Sequence, residues 1–237
     1  MKNGKTLKIF EDGTLFTNDT EIDEIGDNHI SYNTETPLRA DAFDMTDAQK
    51  ILEIEYHFRE IMNTLGLDLT DDSLRGTPLR VAKMYVKEVF RGLNPANKPQ
   101  IAVFENKYGY NQMLVEKDIS LYSNCEHHFV PIYGKAHLAY FSSGKVIGLS
   151  KLNRIVQYYA QRPQVQERLT MQIGKELQEI LETSDVAVLI EAKHMCVSSR
   201  GIRDSDSATT TAYYGGKFED EATRKEFLAY VGMKNLD

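Results

Sequence analysis

The chain has 237 residues, 41% of them hydrophobic and 27% charged, with a net charge of −7; these values exclude collagen, coiled coil and wholesale disorder and fit one large domain, or a domain with an appendage. No run approaches the roughly 18 apolar residues of a membrane span, and the opening stretch MKNGKTLKIF lacks the apolar core of a secretory signal. The two cysteines, Cys125 and Cys196, are too few for a disulfide framework, so the expected compartment is the reducing cytoplasm.

The charge is uneven. Residues 1–45 hold ten acids against four bases, whereas the remainder carries 24 bases and 25 acids. Nothing resembles the basic footprint of a nucleic-acid binder. An anionic ligand would need a local cluster of bases.

Residues 5–18 read as a short hairpin, two apolar stretches flanking Asp12-Gly13. Residues 19–45 are acidic and aperiodic and read as a linker. Thr46 or Asp47 can cap a helix in which Ile51, Ile54, Phe58, Ile61 and Leu65 face inward, with Gly66 at its end. Thr77-Pro78 starts a second helix, with Val81, Tyr85 and Val89 inward and Gly92 as its stop. The two suggest an antiparallel pair. Residues 94–112 read as loop, 113–121 and 132–141 as strands, and Ser150 as the cap of a helix carrying Leu152, Ile155, Val156 and Tyr159. Arg162-Pro163 breaks that helix, and a longer one follows with Val165, Leu169, Ile173, Leu177 and Ile180. Residues 186–196 and 207–214 read as strands, and a final helix runs from about Glu221 to Met233. This order argues α+β with an antiparallel sheet.

The sharpest local feature is Cys125-Glu126-His127-His128. A tight turn can offer the Cys125 sulfur and the His128 imidazole to one metal. The other cysteine stands in His194-Met195-Cys196, where residues two apart on a strand share a face. Two cysteines and one histidine form a zinc-type donor set that leaves a position for water. The bland alternative is two buried cysteines among core histidines. His127 and His194 would be spare imidazoles beside the metal, suited to proton transfer at neutral pH or to holding a ligand in place. His29, His57 and His137 read as bystanders.

Basic pairs stand near helix starts and glycines: Lys151 with Arg154 after Ser150, Arg80 with Lys83 at another helix start, and Arg200-Gly-Ile-Arg203 after the His-x-Cys strand. Singly each reads as a solvated face; several together could hold a polyphosphate. Glu167, in Arg162-Pro-Gln-Val-Gln-Glu-Arg168, reads either as favourable charge in a helix's first turn or as an acceptor for a base edge such as guanine.

Four stretches resemble the GTP cyclohydrolase I family: TPLRVAKMYVKEVFRGL (77–93), SNCEHHFVPIYGKAHLAY (123–140), VIGLSKLNRIVQYYAQRPQVQERLT (146–170) and HMCVSSRGIRDSDSATTTAYYGG (194–216). The resemblance covers about 50–230 and leaves the arm, 1–45, outside. It implies a catalytic domain over 46–237, with a helical pair (46–95) before a tunnelling-fold core (113–237), an antiparallel sheet with two helices on one face. It also implies a toroidal homo-oligomer, a decamer of two pentamers with shared active sites. By similarity Cys125, His128 and Cys196 hold one zinc ion per subunit. Ser150, Lys151, Arg154, Arg200, Arg80 and Lys83 match positions around the ribose and triphosphate, Arg80 and Lys83 from a neighbouring subunit. Glu167, with Gln166 beside it, matches the guanine position. The implied reaction is zinc-dependent hydrolysis and rearrangement of GTP to 7,8-dihydroneopterin triphosphate with release of formate, the first step of tetrahydrofolate and pterin synthesis. His194 would protonate N7, and His127 and Ser150 would move protons at the sugar.

Sister enzymes of the same fold fit less well. A nitrile reductase needs a nucleophilic cysteine and a nicotinamide, whereas both cysteines here match ligands. An iron-dependent cyclohydrolase departs from CEHH. A zinc-stabilised binding protein with a dead site should have lost His127, His194 or Glu167.

Overall fold

The computed structural model of the chain describes residues 8–9, 15–16 and 34–234. The chain divides into two compact units, Met1–Asn33 and Thr34–Asp237. In the first, β1 (Lys8–Ile9) pairs antiparallel with β2 (Leu15–Phe16), Lys8 opposite Phe16. The Asp12-Gly13 turn and the expected linker as far as residue 33 lie outside the described residues.

In the second unit, α1 (Asp47–Thr64) opens on a capping box: the Thr46 hydroxyl accepts the Gln49 N–H, and the Gln49 side chain accepts the Thr46 N–H at 2.9 Å. Ile51 and Met62 are buried, but Ile61 and Leu65, expected inward, are 52% and 71% exposed. α1 packs mainly on α2 (Thr77–Met84), and one neighbouring helix covers only a narrow stripe. α2 does not run unbroken to Gly92. It widens into a π turn at Tyr85–Val89 and tightens to a 3₁₀ turn at Arg91–Leu93.

Within the segment expected to be loop, β3 (Val103–Glu105) forms a ribbon with β6 (Lys145–Ile147). The main sheet is built from β4 (Leu114–Cys125), β5 (Pro131–Tyr140), β7 (Pro163–Gln164), β8 (Val186–His194) and β9 (Thr209–Tyr214). Its order is β7-β4-β5-β8-β9, antiparallel throughout except for the short β4–β7 pair. Even-numbered residues of β5 and β8 (Ile132, Ala136, Leu138, Val188, Ile190, Ala192) pack in one core with Leu152, Ile155 and Val156 of α3 (Leu149–Ala160) and Leu169, Ile173 and Leu177 of α4 (Gln166–Leu181). That alternation is the period-two pattern of a sheet with helices on one face. On the other face, Ala139 and Ala187 pack with Phe218 and with Phe227 of α6 (Glu221–Gly232), while Tyr133, Lys135 and Glu191 stay exposed. No helix among the described residues is long and apolar enough to cross a membrane.

Two further local expectations are corrected. Gly148, not Ser150, occupies the cap position of α3, and Ser150 lies inside the first turn. The strand expected over 186–196 stops at His194, and α5 (Met195–Ser198) is a helical turn. The last ladder pair is Ile132–His194, and the next partner would be Pro131, which has no N–H to give. The Ser198 and Ser199 hydroxyls then donate back to His194 O at 3.2 Å and Met195 O at 2.6 Å, closing the turn.

Gly92 ties the α2 region to the core. Its N–H donates to Gln161 O at 2.9 Å, and its carbonyl accepts from Arg162 Nε at 2.9 Å, whose guanidinium lies over the Tyr158 and Tyr159 rings. A Cβ on Gly92 would meet Tyr158 O at 2.0 Å. We predict that Gly92→Ala lowers the unfolding free energy by about 1–3 kcal/mol. Gly232→Ala, whose Cβ meets nothing within 4 Å, should change it by less than about 0.5 kcal/mol. Denaturant unfolding of both variants checks this, and equal effects would show that the Gly92 contact can relax away.

Candidate functional site

The end of the sheet where β4 stops, β5 starts and β8 stops gathers the chemistry. Cys125, the last residue of β4, is 4% exposed. The chain reverses at once: Cys125 N–H donates to Val130 O and Phe129 N–H to Cys125 O, both at 2.9 Å, with Phe129 in the left-handed region at φ 54. The Phe129 ring packs against Phe90 and Tyr85, at centroid distances of 5.1 and 6.4 Å, so the π turn braces the reversal. His127 and His128 are thereby held out at the tip.

Cys125, His128 and Cys196 converge, with all their ligand atoms within 4.8 Å of one another. Cys196 arrives on the α5 turn rather than on a strand, so its convergence with Cys125 and His128 does not come from the shared strand face that the spacing suggests. Burial pushes the Cys196 thiol above its usual range, and the neighbouring Cys125 sulfur adds to that. A cation between the sulfurs would relieve both effects. Arg200 donates to His128 Nε2 at 2.8 Å, which places a predicted anion-binding base at this group.

Of the two spare imidazoles, His194 is held by the first turn of α4. His194 Nε2 lies 2.7 Å from Gln166 Oε1. Burial lowers the His194 pKa, against an upward pull from the nearby Glu167 charge. His127 Nδ1 is 3.7 Å from Cys125 Sγ, and its Nε2 is 3.9 Å from Glu126 Oε1. Glu126 in turn takes both arms of the buried Arg168 guanidinium. Neither Glu126 nor Arg168 was singled out from the sequence. Helical spacing sets Arg168 in line with Gln172, Lys175 and Glu176, a register that reads as a solvated face, so nothing in the sequence signals its burial.

Glu167 is exposed at the second position of α4, whose cap residue, Val165, contributes no side-chain cap. Gln166, by contrast, is 1% exposed and turned into the protein. Ser150, Lys151 and Arg154 do not join the Cys–His–Cys group. Asn153, beside them, reaches Glu116 at 3.5 Å, and Glu116 lies nine residues before Cys125 on β4, about 25–30 Å along the strand. Arg154 instead lines a polar hollow of about 430 Å³ with Arg91, Lys98 and Gln157. Arg80 folds over its own helix start, donating to Thr77 Oγ1 at 2.9 Å and Ser73 O at 3.1 Å, and Lys83 is exposed one turn on. A larger hollow of about 530 Å³ between α1, the π turn and Phe129 has mainly aromatic and aliphatic walls (Ile54, Phe58, Tyr85, Phe90) and includes neither sulfur.

A family model for GTP cyclohydrolase I matches residues 54–232. The chain is 61% identical over 219 residues to GTP cyclohydrolase 1 of Flavobacterium johnsoniae, a match spanning 92% of this chain and 98% of that protein. It is 59% identical over 201 residues to GTP cyclohydrolase 1 of Aeromonas hydrophila subsp. hydrophila, spanning 84% and 90%. It is 57% identical over 195 residues to the Vibrio cholerae serotype O1 protein of that name, spanning 82% and 89%.

The Glu126–Arg168 pair generates a test. Arg168 is 7% and Glu126 20% exposed, so removing the base leaves a largely desolvated carboxylate. Breaking a buried pair costs about 3–5 kcal/mol, and the residual exposure of Glu126 puts the expected loss for Arg168→Met near about 3 kcal/mol. Adding Glu126→Gln should recover part of it. Denaturant unfolding of the two single variants and the double variant measures the coupling; additive losses would show that the pair is not coupled.

Proposed function

This chain belongs to the GTP cyclohydrolase I family, and from that premise we propose that it converts GTP to 7,8-dihydroneopterin triphosphate with release of formate, the entry step of pterin and tetrahydrofolate synthesis. It is an enzyme of that family, a hydrolase acting on cyclic amidines. The observation that carries the reading is the convergence of Cys125, His128 and Cys196 beside His194 and Arg200.

Zinc is the metal we assign to the three ligands, one per subunit. Two sulfurs and an imidazole match its donor preference, and the donor atoms already lie within 4.8 Å of one another, so a small inward shift brings them to the spacing that bonds of about 2.0–2.3 Å to one ion require. When bound, zinc supplies Lewis acidity and lowers the pKa of its water towards 7. The chain's own residues do the rest. The Glu167 carboxylate, in the first turn of α4, accepts from guanine N1–H and the 2-amino group. An adenine edge lacks that donor pair and would leave the carboxylate unpaired. Water adds to C8 as His194 protonates N7, the five-membered ring opens, and a second water hydrolyses the resulting formyl group so that C8 leaves as formate. His127 and Ser150 move protons as the ribose opens and recloses on the exposed amines. Lys151, Arg154, Arg200, Arg80 and Lys83 hold the ribose and triphosphate.

The antiparallel sheet with α3 and α4 on one face supports the tunnelling fold. We take the chain to assemble as the family resemblance implies, as a decamer of two pentamers; the separation of Ser150 and Lys151 from the sulfur pair within one chain supports the sharing of sites between subunits. Two unpaired cysteines, Cys125 and Cys196, support a cytoplasmic setting.

Incubation with GTP should release formate and yield a fluorescent pterin after oxidation. A chelator should abolish turnover and zinc should restore it, while Cys196→Ser should bind less than about a tenth of the wild-type metal. Full activity of metal-free protein would end the zinc reading, and inertness towards GTP with zinc bound would end the cyclohydrolase reading.

Mixed oligomers test the shared site. Cys196→Ser and Lys151→Ala chains should each be inactive alone. Refolded together in equal amounts, they should regain roughly a quarter of the wild-type sites by random pairing across a symmetric interface. No recovery in a mixture of confirmed hybrid composition would show that each chain completes its own site.

A further inference from the structure

We propose that Gln166 is a positioning residue: it holds His194 as the Nε2–H tautomer, and thereby leaves Nδ1 as the ring atom that carries a proton to and from the substrate. The inference rests on the assignment of His194 to proton transfer and departs from the expectation that Gln166 stands beside guanine.

The orientation of the Gln166 amide follows from its surroundings. Its Nε2 has three partners: Ile190 O at 3.1 Å, Thr209 O at 2.9 Å and Thr211 Oγ1 at 3.1 Å. The first two are backbone carbonyls, which only accept. The third is made an acceptor by a relay. Thr170 Oγ1 donates its one hydrogen to Gln166 O at 2.8 Å. Thr211 Oγ1, 2.6 Å from Thr170 Oγ1, must therefore donate to Thr170, and has only lone pairs left for Gln166. Turning the amide over would set its oxygen against two carbonyl oxygens.

With the NH₂ group so placed, Oε1 faces His194 Nε2 at 2.7 Å. An amide oxygen only accepts, so Nε2 carries the hydrogen. A ring flip would put a C–H against Oε1 and forfeit the bond. Neutral imidazole has a single N–H, so Nδ1 holds the lone pair. On protonation Nδ1 gains the second hydrogen while Nε2–H stays with Gln166, so one contact serves both states. Gln166 is 1% exposed with both amide hydrogens engaged, which leaves it nothing to offer a base edge. Because the partner is an amide rather than a carboxylate, it orients the ring without a charge that would hold the proton there.

The test combines a spectrum with a pair of variants. Solid-state ¹⁵N spectra of the intact protein labelled in histidine, with the His194 signals identified by their absence in His194→Asn, should show protonated Nε2 and bare Nδ1. A protonated Nδ1 in the neutral ring would overturn the proposal whatever the activity. Gln166→Met removes acceptor and donors, whereas Gln166→Glu keeps an acceptor for His194 and loses the donors. We expect Gln166→Met to mix the tautomers and to lower kcat at least about tenfold with KM for GTP within about twofold, and Gln166→Glu to retain severalfold more kcat. Equal damage in both variants would make Gln166 merely structural, and a raised KM with kcat kept would make it a guanine contact; either result overturns the proposal. If Gln166→Met does not fold, the wild-type spectrum still decides. Wild-type protein inert towards GTP would end the functional reading and leave the tautomer result standing.

Discussion

The site depends on one constraint of register: three strands end at the same edge of one sheet. Asn124 pairs with Pro131, and Ile132 pairs with His194. The end of β4, the beginning of β5 and the end of β8 therefore stand side by side. A slip by one residue would turn Cys125 to the opposite face and break the core that Ile132 and Ala192 share with α3 and α4. The apolar packing that fixes the sheet thus also fixes where two sulfurs and an imidazole meet. Proline at position 131 adds to this, because it denies β8 a further ladder partner and lets the chain turn Cys196 inward.

The first turn of α4 makes a second use of that geometry. Buried polar side chains are costly unless satisfied, yet Gln164, Gln166, Arg168, Thr170 and Gln172 are all buried within nine residues. Gln166, Arg168 and Thr170 close bonds to neighbouring strands, to Glu126 and to each other. Gln164 reaches Tyr159 O and Gln172 Oε1 through its amide nitrogen, both at 2.9 Å, while its Oε1 is buried without a partner among the described residues. One of these residues, Gln166, bonds an imidazole directly, and Arg168 fixes Glu126 beside His127. Rigidity at His194 thus comes from a helix packed in the core, whereas of the Cys–His–Cys group only His128 stands on the exposed reversal after β4.

What was legible in the sequence follows a physical division. CEHH announced itself because its donors lie within one turn, and apolar spacing revealed α3, α4 and the strands they cover. Gln166 and Arg168 were visible as letters but not as partners, because their contacts lie 28 and 42 residues away across the fold. Spacing along one element says nothing of such distances. The strand expected through Cys196 failed because Met-Cys-Val reads as apolar strand, whereas the missing N–H of Pro131, on another strand, ends the ladder. Ile61 and Leu65 follow helical spacing but lack cover, since periodicity reports which face is apolar and not what lies against it.

That last point bears on how the site is completed. In a single chain α1 leaves Leu52, Ile61 and Leu65 exposed, and the open face of the sheet leaves Tyr122 and Tyr133 exposed. Apolar area of that extent is what copies of a chain cover in one another. The bases at the start of α3 carry the same implication from charge. Ser150 and Lys151 lie near Glu116, at the other end of β4 from Cys125, because β5 must run its full length before β6 and α3 can begin. No side-chain rotation spans about 25–30 Å, so on the proposed reading the triphosphate-binding bases of one chain serve the sulfur pair of another. On that reading, connectivity explains why the Cys–His–Cys group and the bases at the start of α3, both dense along the sequence, stand apart in the fold: assembly would bring together what the strand direction separates.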